Sequence, residues 1–177
     1  PGDPDRLFRN DGPDQDGAFA VTTRAAPKIT PLRLLPSLPE FIYIPSGNFL
    51  FGDQRNPREP HYVWLTGYFI SPFEVTNAEF REFLADPQGY ANDEHWTESG
   101  RQWQAANVSQ VTALLTPEDE GYARFGQPDQ PVVWLNWFEA QAYCRWLTRK
   151  IGDRRWQFAL PTEAEWEKAA RGPDNFE

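Results

Sequence analysis

The segment Leu160–Gly172, with the sequence LPTEAEWEKAARG, decides the interpretation of the fold. It contains Thr162 followed three residues later by Glu165, a capping box in which each side chain bonds the backbone N–H of the other residue. The pair Gly172–Pro173 is a signal that stops a helix. The segment therefore predicts a helix over residues 162–171.

The same start signal occurs twice upstream of this segment. Thr76 and Asn136 are each followed three residues later by a glutamate, and apolar residues at helical spacing come next. These patterns predict helices over residues 76–85 and 137–151. Their apolar faces consist of Phe80, Phe83 and Leu84 in the first helix, and of Phe138, Ala142, Cys144 to Leu147 and Ile151 in the second.

Short β-rich runs separated by turns occupy much of the remaining chain. Phe41–Gly52 (FIYIPSGNFLFG) holds two such runs around a turn cluster, and Tyr62–Leu65, Tyr68–Ser71 and Trp156–Leu160 hold one run each. Over Asp86–Gln130 the periodicity fails, which predicts a long irregular excursion on the surface. Aromatic side chains are expected to anchor this excursion, namely Trp96, Trp103, Tyr122 and Phe125.

The composition indicates a compact fold with much irregular chain. The 177 residues include 17 Pro, 12 Gly and 15% aromatic residues, which favours many turns and argues against a helical bundle. Residues 1–40 are broken by many prolines and begin with an Asp-rich stretch, so we interpret them as a linker or an N-terminal extension. The organised domain is predicted to begin at residue 41.

Six segments occur in the order and approximate spacing of the formylglycine-generating enzyme family, also called the sulfatase-modifying factor family. LPTEAEWE followed by AARG is specific, and EVTN at residues 74–77 makes a chance match implausible. The resemblance implies an α+β, C-type-lectin-like fold with three main helices, short strands and extensive loops. Residues 41–177 would form the N-terminal part of that domain. The six segments are Phe41–Gly52, Pro60–Leu65, Phe69–Asn77, Pro131–Trp137, Ala140–Leu147 and Leu160–Gly172.

The resemblance also implies a chemistry. Enzymes of the family oxidise a sulfatase cysteine to formylglycine with copper and oxygen, and their active-site cysteines and calcium-binding loops lie beyond the LPTEAEWE helix. We therefore assign no catalytic, cofactor-binding or metal-ligating residue to this chain, and expect copper and calcium only in a complete domain that retains the chemistry. The C-terminal half of the same domain is the expected partner, and a protein ligand is a second one.

Three positions depart from or match the family pattern in detail. Cys144 matches a cysteine that forms a structural disulfide in eukaryotic members, but their second cysteine in the third helix corresponds to Ala170 here. That bridging pattern is therefore at least half absent. The arginine that usually precedes LPTEAEWE is Ala159 in this chain, which we expect to change only local packing.

The net charge and the lack of a long apolar run disfavour several classes of function. A net charge of −9 with a pI near 4.8 disfavours a dedicated nucleic-acid binder. No apolar run is long enough for a membrane span, and no signal peptide is visible, which leaves the localisation open and favours the cytoplasm. The chain has no Met and begins with Pro1, so we expect it to be part of a longer protein.

Each residue that could carry chemistry also has a structural interpretation, which we prefer. Cys144 is predicted to be a buried small hydrophobe rather than a nucleophile, and His61 a satisfied structural histidine rather than a base. His95 could bind a metal together with neighbouring acids, although a solvated acidic turn is favoured. The acids concerned are Asp93, Glu94 and Glu98.

The glutamates at the start of the third predicted helix allow the same two interpretations. Glu163, Glu165 and Glu167 could act as acid and base, but helix capping and the helix dipole explain them better. Trp137 and Trp166 are predicted to lie in the core. Residues 107–109 match a glycosylation sequon by pattern only.

Three functions stay open on the sequence. The chain could be the N-terminal half of a copper-dependent formylglycine-generating oxidase. It could instead belong to a non-catalytic module that binds a ligand or a protein on the lectin-like scaffold. It could also be an accessory or regulatory domain of a larger bacterial protein. Fold alone does not choose between them, so whether the chain belongs to an enzyme is undecided.

Overall fold

The structure, a computed structural model, describes residues 40–52, 60–107 and 121–172. Its four strands are β1 (Ile42–Ile44), β2 (Gly47–Phe51), β3 (His61–Leu65) and β4 (Tyr68–Ile70). They form two antiparallel pairs, β1 with β4 and β2 with β3. In the second pair Phe49 lies opposite Val63 and Asn48 opposite Trp64, so alternate residues face opposite sides of the sheet.

Helices complete the α+β architecture. In the described residues they are α1 (Asn77–Ala85), α2 (Glu98–Ala106), the short α3 (Tyr122–Phe125), α4 (Trp137–Ile151) and α5 (Glu163–Arg171), and a 3-10 turn spans Asp93–His95. The predicted helices over 76–85, 137–151 and 162–171 are confirmed as α1, α4 and α5, with α1 and α5 each beginning one residue later. The mixed fold that the family resemblance implies is thereby confirmed.

All three main helices begin with the predicted capping boxes. In α4 the Asn136 side chain accepts hydrogen bonds from the N–H groups of Phe138 (2.8 Å) and Glu139 (3.1 Å), and the Glu139 carboxylate accepts one from the Asn136 N–H. Thr76 and Thr162 act in the same way for α1 and α5. Local sequence therefore fixes where each helix starts.

The core lies between α1, α4 and the segment that joins α1 to α2. Phe83 is fully buried, and its ring contacts those of Phe80, Tyr143 and Trp146 at centroid distances of 5.3–5.8 Å. Such tilted and edge-to-face ring pairs add to the free energy gained by burial. The buried members of the cluster are Phe80, Phe83, Trp96, Ala142, Tyr143, Trp146 and Leu147.

The EVTN motif fixes α1 to the segment that precedes α4. The backbone N–H groups of Asn77 and Ala78 donate to Gln130 O and Pro128 O, each at 2.9 Å, and Thr76 forms a β-bridge with Pro131. The buried Asn77 side chain also donates to the carbonyl oxygens of Phe125 and Gln127. The motif thus holds two remote segments side by side in antiparallel orientation.

Two sequence predictions about secondary structure are wrong. The region Asp86–Gln130 was expected to be irregular, but its described part contains α2, α3 and the 3-10 turn. Thr97 begins α2 by accepting a hydrogen bond from the Gly100 N–H, without the glutamate that marks the other helices. The expectation that aromatic residues anchor the region is confirmed for Trp96, which is buried and donates through Nε1 to Tyr90 O at 2.9 Å.

The second wrong prediction is a strand over Trp156–Leu160, which forms no β-ladder. The Phe158 N–H donates instead to the Thr148 hydroxyl on α4 at 2.8 Å. The Phe158 ring packs edge-on against Phe41, at 5.7 Å between centroids. A helix side chain and an aromatic contact therefore hold this segment in place, without strand pairing.

Thr162→Ala is expected to lower the free energy of unfolding by about 1 kcal/mol, the usual cost of losing an N-cap. The Thr162 hydroxyl accepts a hydrogen bond from the Glu165 N–H at 3.2 Å, and the Glu165 carboxylate accepts one from the Thr162 N–H at 2.8 Å. Denaturant midpoints of wild type and variant measure the loss. Thr162→Ser keeps the hydroxyl and serves as the control, and equal midpoints for wild type and Thr162→Ala would show that Thr162 does not stabilise α5.

Candidate functional site

The histidine of the acidic turn is buried rather than solvated. His95 is 2% exposed, and its Nε2 lies 2.7 Å from Gln88 O, to which it donates as the protonated ring nitrogen. Its ring packs against Phe83, with 6.4 Å between centroids. The solvated turn predicted around His95 is therefore only half correct, because the imidazole faces the core.

The acids beside His95 do not converge on one point. Glu94 forms an ion pair with Arg149 on α4, and Glu98 pairs with Arg101 within α2. Each carboxylate is therefore neutralised by a separate arginine. Within the described residues, no three His, Cys, Asp or Glu side chains come close enough together to hold a metal ion. The alternative interpretation of this turn as a metal site has no geometric support.

Cys144 has the environment of a structural thiol. It lies on α4 beside the buried residues Tyr143 and Trp146. Burial raises the pKa of its thiol from 9.0 to about 11, because the thiolate would lose its hydration. At neutral pH the side chain is therefore the protonated, weakly nucleophilic form.

We expect the Cys144 thiol to react slowly with a thiol reagent in the native protein and completely after denaturation. The raised pKa also implies that stability falls as the pH rises from 9 to about 11, since the unfolded chain loses the thiol proton first. Timed labelling at pH 8 measures the first effect. Denaturation of wild type and Cys144→Ala across this pH range measures the second. Rapid stoichiometric labelling of the folded chain would contradict the assignment.

The three glutamates of α5 have separate structural tasks. Glu165 closes the capping box, and Glu167 Oε1 accepts hydrogen bonds from the Gly52 N–H (2.8 Å) and from Arg171 (2.7 Å). Glu163 is exposed in the first turn, where its negative charge interacts favourably with the helix dipole. The structural interpretation of this group agrees with the geometry.

His61 is exposed on β3, and its ring packs edge-to-face with Phe51, at 5.6 Å between centroids.

Sequence reasoning did not single out Lys168, although it is the buried cation of the described fold. Lys168 is 4% exposed, and its Nζ donates to Pro45 O at 2.8 Å and to Gly47 O at 3.0 Å. Desolvation lowers the pKa of this ammonium group. The contact attaches α5 to the turn between β1 and β2. A lysine inside an amphipathic helix usually faces solvent, so nothing in the residue pattern indicates this role.

Several large aromatic side chains are exposed, including two that were predicted to lie in the core. Trp137 is 58% exposed and Trp166 is 62% exposed, so the prediction of core positions for them is wrong. On the outer face of the β2–β3 pair, Tyr62 and Trp64 are 74% and 59% exposed, while Phe49 on the inner face is fully buried. Solvent-facing rings of this size mark candidate binding surfaces.

A further exposed ring, that of Trp134, belongs to a backbone in an uncommon conformation. Its φ of 66° lies in the left-handed region, which bulky residues rarely adopt, and the side chain is 57% exposed. On the antiparallel neighbour segment, Phe73 is 69% exposed. The Phe73 N–H donates to the Ser71 hydroxyl, and that hydroxyl donates to the Phe73 carbonyl oxygen. The FEVTN and PVVWLNW motifs thus present rings to solvent at the place where they meet.

A comparison with known protein families identifies the domain to which these motifs belong. The family model described as "Sulfatase-modifying factor enzyme 1-like domain" matches residues 27–176. The chain belongs to the formylglycine-generating enzyme family. Its FEVTN, PVVWLNW and LPTEAEWE motifs are thereby placed within one family domain, and the resemblance inferred from them is confirmed.

Relatives within the formylglycine-generating enzyme family carry different names. The chain is 34% identical over 140 residues to the serine/threonine-protein kinase Pkn1 of Chlamydia trachomatis, covering 77% of this chain and 20% of that protein. It is 36% identical over 120 residues to a hercynine oxygenase of Mycolicibacterium thermoresistibile, covering 64% and 24%. It is 28% identical over 163 residues to the formylglycine-generating enzyme of Bos taurus, covering 77% and 41%.

The family match does not choose among those activities. The chain spans only about a fifth to two fifths of the length of these three relatives. In the described ranges, none of the helices combines the length and apolar character that crossing a bilayer requires.

Asn107 of the sequon pattern is exposed and donates to Trp103 O, whereas residues 108 and 109 lie outside the described residues.

Proposed function

We propose that the chain is the scaffold of a formylglycine-generating-enzyme-like domain that binds a ligand or protein and supplies no reacting group of its own. One observation carries the proposal. The candidate reacting side chains of the described part all serve the fold, whereas several aromatic rings are held in solvent. The half-buried Cys144 thiol is held protonated by desolvation, His95 donates to a carbonyl, and Glu165 caps a helix.

The binding role has two parts, of which the first is completion of the domain. The β2–β3 pair is covered by α5 on one face, while Tyr62 and Trp64 are exposed on the other. Trp166 is likewise exposed on the outer side of α5. Each Å² of apolar surface left in water costs about 25 cal/mol. We propose that further polypeptide of the same family domain, its C-terminal half, covers these faces.

An apolar fluorescent dye tests the completion of the domain. The 177-residue chain should bind the dye, and a protein that continues through the rest of the family domain should bind less of it. If a cut separates the two parts, they should stay together under native conditions and separate in denaturant. A chain that is monomeric, unfolds cooperatively and does not bind the dye would contradict the proposal.

Copper and calcium, which the family resemblance implies, do not fit the described residues. A copper site needs thiolate or imidazole ligands, and a calcium site needs several converging oxygens. The Cys144 thiol is held protonated, and two of the acids near His95, Glu94 and Glu98, are paired with separate arginines. If the complete domain binds either metal, we propose that its ligands come from residues outside the described ranges.

The non-catalytic character of the domain is tested on the full protein that carries this chain. It is incubated with copper, oxygen and a peptide that contains one cysteine, and the peptide is analysed by mass spectrometry for an aldehyde. We expect no conversion, whereas an authentic formylglycine-generating enzyme under the same conditions serves as the positive control. Copper-dependent formation of the aldehyde would contradict the proposal.

The second candidate function is catalysis by the complete domain, with oxidation of a sulfatase cysteine to formylglycine. The similarity to the formylglycine-generating enzyme of Bos taurus favours it. In that case the described residues would position the reacting groups without being among them. A regulatory domain of a larger protein is a variant of the binding proposal, and the similarity to the kinase Pkn1 favours that variant.

A further inference from the structure

We draw no further inference here: the strongest candidate, the partly exposed aromatic patch on the β1–β4 pair in which the ring of Phe69 contacts those of Tyr43 and Trp156, carries nothing because the described residues do not show what covers it.

Discussion

Phe83→Ala is expected to lower the free energy of unfolding by about 3–5 kcal/mol, the usual range for removing a fully buried phenylalanine. Phe83 is 0% exposed, and it connects α1 with α4 and with the segment that follows α1. Its ring contacts Trp146 of α4 at 5.3 Å and Tyr90 of the following segment at 5.6 Å, measured between centroids. The substitution removes these contacts and leaves a cavity that stiff neighbouring rings fill poorly.

Chemical denaturation of wild type and variant, followed by circular dichroism, measures this loss. Phe73→Ala is the matched control, because the Phe73 ring is 69% exposed and its removal should change stability by less than about 0.5 kcal/mol. Equal effects of the two substitutions would mean that the cluster around Phe83 is not the folding core. A Phe83→Leu variant that recovers part of the loss would assign the effect to the lost volume.

The helices that the sequence predicted best are those with local start signals. A capping box involves residues only three positions apart, so Thr76, Asn136 and Thr162 could be identified without knowing the rest of the fold. The start of α2 was missed because Thr97 is followed by Gly100, which has no side chain to return the hydrogen bond. Its helical face contains one large ring, Trp103, which gives a weak periodic signal.

The candidate sites could be predicted only in part, because chemistry depends on what a side chain faces. The sequence places His95 among acids, yet the imidazole packs against Phe83, while Glu94 pairs with Arg149 and Glu98 pairs with Arg101. Helical periodicity identified an apolar stripe but could not show what covers it. Trp137 and Trp166 were assigned to the core on their type alone, and both are exposed. Trp134 gave no sequence signal, since a left-handed φ at a tryptophan is set by the contacts on either side of it.

Lys168→Ala is expected to destabilise the fold by about 2–3 kcal/mol, because hydrogen bonds that involve a charged group contribute about 1.5–3 kcal/mol. The buried ammonium group is the donor to Pro45 O and Gly47 O, and its loss leaves both carbonyl oxygens without that partner. The same substitution removes the aliphatic stem of Lys168. The Nζ at the end of that stem lies 6.0 Å from the ring centroid of Phe49, which is fully buried. The attachment of α5 to the turn between β1 and β2 should therefore weaken.

Two further variants separate the parts of this effect. Lys168→Met keeps most of the stem and should recover its packing but not the carbonyl hydrogen bonds, so its unfolding free energy should lie between those of wild type and Lys168→Ala. Lys150→Met is the matched control, because Lys150 forms a surface ion pair with Glu82 that contributes about 1 kcal/mol or less. Hydrogen exchange locates the change, since amides of β2 and α5 should lose protection in Lys168→Ala while those of α1 and α4 keep theirs. A variant that loses protection evenly throughout, or not at all, would show that Lys168 does not hold α5 to the strands.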